Sequence, residues 1–479
     1  MLRSTKIVAT LGPASSDPAV LERMVRAGVD VVRLNFSHGS AADHEKRAEL
    51  VREISRKCER TVAIMCDLQG PKIRIGKFRD GKVTLENGAR FILDAGCELG
   101  DAERVGLDYK ELPRDVEEGD VLLLDDGKIV LEVTVVRGEE VHTRVRHGGV
   151  LSDNKGINRQ GGGLTAAALT AKDMEDIRTV AKIRADFLAV SFPKSGADMY
   201  MARELMRAAG GKAMLIAKIE RAEAVKHEAL VSIMGACDGI MVARGDLAVE
   251  VGDAAVPALQ KRMIRLAREH NKIAITATQM MESMIASPVP TRAEVSDVAN
   301  AVLDGTDAVM LSAESASGKY PVQTIEAMDR ICVEAEQTQT VSLEQDFLNR
   351  VFMRVDQSIA MAALFTAFHL KVKVIAALTE SGATALWMSR LNCGVPIYAL
   401  TSQTATRYRC ALFRDTYPLM VKYVGHDREE LLQEAENVLV ENGVVQDGDL
   451  IVLTIGEPIG KAGGTNTMKI VRVGEHRKA

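Results

Sequence analysis

"TVAIMCDLQGPKIRIG", residues 61–76, starts as one kind of structure and continues as another. Its first half is a short apolar run closing on Asp67 and a glycine, which reads as a buried strand and its turn. A parallel strand calls for a helical crossover next. A Gly-Pro turn follows instead, then three cations, Lys72, Arg74 and Lys77. Lys72 and Arg74 lie two apart in an extended stretch and so share a face. No long helical period appears again until after residue 160. Residues 71–160 carry VTLENGARFILD and DVLLLDDGKIVLEVTVVRGEEVHTRVRHG, rich in Gly, Asp and Asn turns. "DDGK" between two apolar runs predicts a hairpin. The stretch is therefore a small all-β insertion on a strand-to-helix loop, with "NRQGGG" (158–163) as its return hinge.

The same kind of strand recurs on both sides of the insertion. KIVATLG (6–12), VDVVRLNFSHG (29–39), TVAIMCDLQG (61–70), ADFLAVSF (185–192), AMLIAKIE (213–220), DGIMVARGDL (238–247), KIAITATQM (272–280) and DAVMLSAE (307–314) alternate with amphipathic stretches such as VPALQKRMIRLAREHN. Strand–helix alternation implies parallel strands. Eight such units predict a (β/α)8 TIM barrel, with an open doubly wound sheet as the alternative. An insertion on a loop at the mouth of a barrel is placed to act as a lid. The alternation restarts after about residue 340. DQSIAMAALFTAFHL, VKVIAAL, ATALWMSRLN, PIYAL, REELLQEAENVLVENG and DLIVLTIG make a separate α/β domain. The expected division is 1–70 and 161–340 for the barrel, 71–160 for the lid and 341–479 for the C-terminal domain.

The chain has 479 residues, enough for about two to four domains. A net charge of −5 and 4% aromatics argue against nucleic-acid binding, which wants a basic face or stacking platforms. Seven scattered cysteines without a C-x-x-C predict reduced thiols and a cytoplasmic location. No apolar stretch is long enough to span a membrane, and no signal peptide is expected.

Chemistry in a barrel comes from the C-terminal ends of its strands. Arg33, Asn35 and Ser37 end the second strand, Asp67 the third, Lys218 and Glu220 the fifth. Arg244, Gly245 and Asp246 end the sixth, Thr278 and Gln279 the seventh, Ser312 and Glu314 the eighth. Glu220 and Asp246, with no His or Cys pattern, suit a hard divalent cation, Mg²⁺ before Zn²⁺. Arg33 and Lys218 suit a phosphate or carboxylate. Cations and Mg²⁺ around one anion is what phosphoryl transfer requires. A Schiff-base role for Lys218, as in a Mg²⁺-dependent lyase or aldolase, is the rival, and nearby Glu220 weighs against it by keeping the amine protonated.

These residues stand in motifs. "KIVATLGPAS", "RLNFSHG", "GPKIR", "SDNKG", "KIE", "MVARGDL", "TATQMMESM" and "PTRAEVSDVANAV" occur in the order and spacing of the pyruvate kinase family, which the chain resembles over essentially its whole length. The resemblance implies a barrel with a β-rich lid and a C-terminal effector domain, assembled as a homotetramer. It implies phosphoryl transfer from phosphoenolpyruvate to ADP, giving pyruvate and ATP, with Mg²⁺, or Mn²⁺ in its place, on Glu220 and Asp246. Arg33 and Lys218 would hold the phosphoryl group. Ala243, Arg244, Gly245, Asp246 and Thr278 would hold the substrate carboxylate. Thr278 and Ser312 would serve the proton relay. Thr10, Pro13, Asn35, His38, Arg74 and Lys155 would contact the nucleotide. Members that need K⁺ hold it with residues matching Asn35, Ser37, Asp67 and the next position. They carry Thr where this chain has Leu68 and Glu where it has Lys72, so Lys72 is expected to replace K⁺. Thr379, Ser381 and Thr384 in "LTESGATA" (378–385) would hold the phosphate of a small phosphorylated effector. Glu380 and Ala383 favour a monophosphate over a bisphosphate.

Overall fold

The computed structural model describes residues 2–339, 351–422, 427–460 and 462–475. The expected limit between barrel and C-terminal domain, at 340/341, lies outside the described residues. Eight parallel strands close into a barrel: β1 Lys6–Thr10, β2 Val31–Asn35, β3 Ala63–Asp67, β4 Phe187–Val190, β5 Met214–Ile219, β6 Gly239–Ala243, β7 Ile273–Ala277 and β8 Ala308–Leu311. Each lies inside one of the eight runs read from the sequence, and β1 pairs with both β2 and β8. The helices between them start on side-chain caps. Ser40, Thr170 and Thr291 each accept a backbone N–H three residues on, and an acidic residue reaches back.

The strands alternate between two cores. Ile7, Ala9, Val32, Leu34, Ile64 and Cys66 face outward to the helices. Val8, Val31, Ala63, Met65, Phe187, Ala189, Ile216, Met241, Ile275 and Met310 fill the barrel interior. That interior is apolar towards the N-terminal ends of the strands and packs on Leu412 and Phe413 of the C-terminal domain. Continuing the same alternation one or two steps brings Thr10, Arg33, Asn35, Asp67, Lys218 and Ser312 onto the inner face at the other end.

The insertion leaves after β3 and returns before β4. Its main sheet has six strands, in the order Ile157–Arg159, Val121–Leu124, Ile129–Arg137, Glu140–His147, Arg90–Asp94 and Arg104–Val105, antiparallel except for the last pair. Residues 125–128, "DDGK", form its hairpin turn, with Asp125, Asp126 and Gly127 at positive φ. The insertion has its own core around Phe91, Leu93, Leu122, Leu131 and Val145.

The C-terminal domain is a five-stranded sheet: β9 Val374–Leu378, β10 Ile397–Thr401, β11 Thr416–Met420, β12 Leu450–Gly456 and β13 Thr465–Arg472, in the order β11-β10-β9-β12-β13. Two of these strands escaped the sequence reading, and both lie at edges. β11 contains Pro418, which only an edge tolerates without losing a ladder bond. β13 lacks a clear apolar run. No helix among the described residues is long and apolar enough to cross a membrane.

Barrel and C-terminal domain meet through buried polar groups. Asp307 accepts from both terminal nitrogens of Arg390 and from the Arg414 N–H. Arg414 also donates to the Thr5 hydroxyl at 2.6 Å. Asp415 donates its N–H to the Ser4 carbonyl, and its carboxyl takes the Ser4 hydroxyl at 3.2 Å. Burial pushes the Asp415 carboxyl up to about 7, against the opposing pull of Arg414, Lys6 and the Ser4 hydroxyl and with a push from Glu336. The unfolded chain loses this proton near pH ~4. Between about pH 4 and 7 the folded state therefore holds a proton that the unfolded state lacks, and stability falls as pH rises through that window. Asp415→Asn should leave stability nearly unchanged below about pH 4 and raise it progressively above that, by about 1.4 kcal/mol per pH unit up to pH ~7. Urea unfolding of both proteins across that pH range measures the difference, and a gap independent of pH would refute the account.

Candidate active site

At the C-terminal end of the barrel four charges from three strands pair inside the protein. Arg33 donates through Nε to Asp67 Oδ2 at 2.6 Å and through a terminal nitrogen to Thr10 Oγ1 at 3.1 Å. Lys218 Nζ lies 3.3 Å from Asp67 Oδ1 and 2.9 Å from Glu220 Oε1. Glu220 and Asp67 are each 1% exposed. Buried charges survive only when paired and hydrogen-bonded, and each carboxylate here has one further donor nearby. Glu220 Oε2 accepts the Phe192 N–H at 2.9 Å, and the Ser191 hydroxyl lies 3.5 Å from Asp67 Oδ1.

The protonation pattern follows from the partners. Burial disfavours the charge on Lys218, but Asp67 and Glu220 outweigh it and raise its pKa above the usual lysine range. Burial likewise opposes ionisation of Asp67, and Lys218 with Arg33 overcomes it, holding its pKa below the usual carboxylate range. Burial pushes Glu220 up to about 7, Lys218 pulls it down, and the nearby charge of Asp246 pushes with burial.

The other expected residues surround this group. Asp246 is in the first turn of the helix Arg244–Val251, which follows β6 directly. The first N–H groups of a helix lack partners within it and favour an anion. The Arg244 guanidinium does not point the same way. It donates to the carbonyls of Ala277 and Thr278 and to Asp297, so it holds the end of β7 in place. Thr278 has φ +68 and Gln279 φ +53. That left-handed turn takes Thr278 off the parity of β7 and lets its hydroxyl accept the Gly245 N–H at 2.9 Å. Ser312 ends β8 and donates its N–H to Glu314 Oε2, whose other oxygen accepts from Met281.

Pro13 opens a short turn after β1. Gly12 is needed there, because a Cβ would lie 2.5 Å from the Ala316 carbonyl oxygen. Asn35 Oδ1 accepts the Ser37 N–H, and His38 is exposed on the same turn. Arg74 donates to the Asn154 carbonyl at the root of the lid, and Lys155 is paired with Asp125 at 2.8 Å. The ion-pair partner of Lys72 is Asp246, at 3.6 Å, and Asp67 is engaged by Arg33 and Lys218 instead. Leu68 is 1% exposed and offers no side-chain oxygen.

Ser191 was missed in the sequence. Its hydroxyl accepts from Lys218 Nζ at 2.8 Å and bonds the Leu68 carbonyl. The signal was available: Phe187, Ala189 and Ser191 follow the same period of two that points to Arg33 and Lys218.

In the C-terminal domain, Thr379 Oγ1 accepts the Gly382 N–H and Ser381 Oγ accepts the Ala383 N–H. Thr384, on the helix Ala383–Met388, bonds Thr465 at the start of β13 at 2.7 Å. Thr379 and Thr384 line a cleft with Thr401, Ser402, Gly460 and Gly464.

Residues 2–325 match the family described as "Pyruvate kinase, barrel domain", and residues 357–471 match "Pyruvate kinase, alpha/beta domain". The chain belongs to the pyruvate kinase family. It is 52% identical over 476 residues to pyruvate kinase II of Salmonella typhimurium, covering 98% of this chain and 99% of that one. It is 51% identical to the pyruvate kinase of Haemophilus influenzae, covering 95% and 96%. The Mycobacterium tuberculosis pyruvate kinase is 40% identical over 99% of both chains.

Proposed function

We propose that this protein transfers the phosphoryl group of phosphoenolpyruvate to ADP, yielding pyruvate and ATP. The observation that carries the reading is the buried group Arg33–Asp67–Lys218–Glu220, in a chain that matches the family over its full length. Arg33 has donors left over after binding Asp67 and Thr10, and they bind the phosphoryl group. Lys218 stays protonated and stabilises that group in transit, which is what a loose phosphoryl-transfer transition state needs. The N–H groups of residues 244–246 and the Thr278 hydroxyl hold the substrate carboxylate. Thr278 and Ser312 order the proton delivery that turns the enolate into pyruvate.

The donor set fits a divalent cation. Glu220 is short of positive charge, Asp246 lies close enough to feel it, and among the described residues no third metal-ligating side chain joins them. Two carboxylates with the remaining positions left to water and substrate is how Mg²⁺ is commonly held. When bound, the cation supplies charge neutralisation between substrate oxygens. Lid residues Arg74 and Lys155, with Thr10, Pro13, Asn35 and His38, hold the nucleotide and exclude water. The chain divides as 1–70 and 161–340, 71–160, and 341–479, acts in the cytoplasm and assembles as a homotetramer.

Lys218→Met should lower kcat on the order of 10³-fold or more while phosphoenolpyruvate affinity falls far less. Pyruvate formation from phosphoenolpyruvate, with and without ADP, measures both. Near-normal turnover in the variant would sink the assignment.

Lys72 supplies the positive charge that other members take from K⁺. What supports this is the pair of departures, Leu68 without an oxygen and Lys72 as a fixed cation facing Asp246. Placing K⁺ there as well would crowd two cations around too few oxygens. Activity with tetramethylammonium as the only monovalent salt should match that at saturating KCl. Lys72→Glu should weaken it and K⁺ should restore part. A wild-type enzyme nearly inactive without K⁺ would reject the role.

The cleft beside Thr379, Ser381 and Thr384 takes the phosphate of a sugar or nucleoside monophosphate. Titration of such ligands at sub-saturating phosphoenolpyruvate should activate, and Ser381→Asp should abolish the response. Activation by fructose 1,6-bisphosphate alone, unaffected by that change, would reject the site.

A further inference from the structure

The return hinge of the lid touches the barrel in an economical way. Its hydrogen bonds across to the barrel go to residues just beyond the two carboxylates of the site. Glu250 is one helical turn after Asp246. Its carbonyl accepts the Gly161 N–H at 3.0 Å, and its side chain accepts from Asn158 Nδ2 at 3.4 Å. Its other side-chain oxygen accepts the Ala222 N–H at 2.8 Å, two residues after Glu220. Glu223 takes the Gly163 N–H, and Arg221 donates to the Leu164 carbonyl at 3.1 Å. Gly161, Gly162 and Gly163 all have positive φ, so the hinge is held in a backbone form that glycine adopts at little cost. Glu250 is 6% exposed. A buried carboxylate bridging three segments is structurally expensive unless each bond is kept.

We infer that Glu250 is a positioning residue that ties the lid's hinge to the segments bearing Glu220 and Asp246, so that filling the carboxylate pair and setting the lid are one event. Glu220 heads the 220–223 loop and Asp246 lies in the first turn of the 244–251 helix, so a cation held by both carboxylates would couple those two segments. Glu250 spans those two segments and holds Asn158 and Gly161 of the hinge. A shift between those segments therefore reaches the hinge through Glu250, beside the direct bonds of Glu223 to Gly163 and of Arg221 to Leu164. Glu250 touches no reacting atom in this account.

The inference rests on the phosphoryl-transfer reading only for its kinetic consequence, so its test has two arms. In the first, backbone hydrogen exchange of a peptide covering 157–165 is followed in the full-length protein with and without Mg²⁺, and then with phosphoenolpyruvate added. The wild type should gain protection there. Glu250→Ala should lose most of that gain while exchange in the barrel strands stays as in the wild type. Glu250→Gln should retain it, because a glutamine can still accept from Ala222 and its amide can meet a rotated Asn158. In the second arm, Glu250→Ala should raise the KM for ADP about tenfold with a smaller fall in kcat, and Glu250→Gln should rescue it. If Glu250→Ala does not fold, Asn158→Ala, which removes the hinge's bond to the Glu250 side chain and keeps the Gly161 N–H on the Glu250 carbonyl, must shift both readouts the same way. A wild-type hinge response in the alanine variants would overturn the inference. Absence of pyruvate formation by the wild type would overturn the functional reading instead, and the exchange arm with Mg²⁺ alone would still decide the hinge.

Discussion

Asp67 is the charge on which the site is built. Two cations from different strands, Arg33 and Lys218, converge inside a barrel where water cannot screen them, and a carboxylate between them makes that tolerable. It also fixes where they aim. Arg33 is bound by its Nε edge, and Lys218 is held by Asp67 on one side and Glu220 on the other. A cation with a fixed direction in a dry site is worth far more to a developing charge than one free to turn in water. Removing Asp67 would leave two like charges facing one another, so the rest of the arrangement presupposes it.

The barrel makes this possible by a simple device. Each strand alternates, and its inner residues are apolar until the last one or two, except for Lys6 at the start of β1, which donates to the Thr416 carbonyl. The lower interior is sealed by the C-terminal domain, and the upper interior carries the charges. One parity rule thus serves both packing and chemistry. The exceptions are informative. Thr278 is off parity and is delivered by two consecutive left-handed residues, and backbone strain of that kind costs of order 1–3 kcal/mol per residue. The Arg244 clamp on the carbonyls of Ala277 and Thr278 is what holds that turn.

That parity is also why so much was legible in the sequence. Eight apolar runs with polar ends predicted the barrel and singled out Arg33, Asp67, Lys218 and Glu220, which the structure brings together, because period and chemistry agree along each strand. "DDGK" was legible as a hairpin because its positive-φ residues are typical of such turns. What escaped depends on partners rather than on pattern. Ser191 looks like any small residue after a strand until Lys218 is placed beside it. The side chain of Arg244 sits in a motif with Asp246 but serves the neighbouring strand. The direction of Lys72 is set by the fold of the lid root, which no local period encodes. β11 and β13 were missed because edge strands carry weaker burial signals, and Pro418 masks the first of them.

The ion pairs also separate into two classes by exposure, and the separation has chemical sense. Arg33–Asp67 is buried, with side chains 10% and 1% exposed, and breaking it would cost several kcal/mol. Lys155–Asp125 and Lys72–Asp246 each involve a lysine about one-third exposed. Pairs of that kind contribute about 0–1 kcal/mol. Such pairs open at small cost, whereas opening the buried pair is expensive. The lid root and the rim thus hold their cations loosely. The interior holds its cations firmly. A site that must bind two anionic substrates and release two anionic products needs both: fixed charge where the transition state forms, and exchangeable charge where ligands come and go.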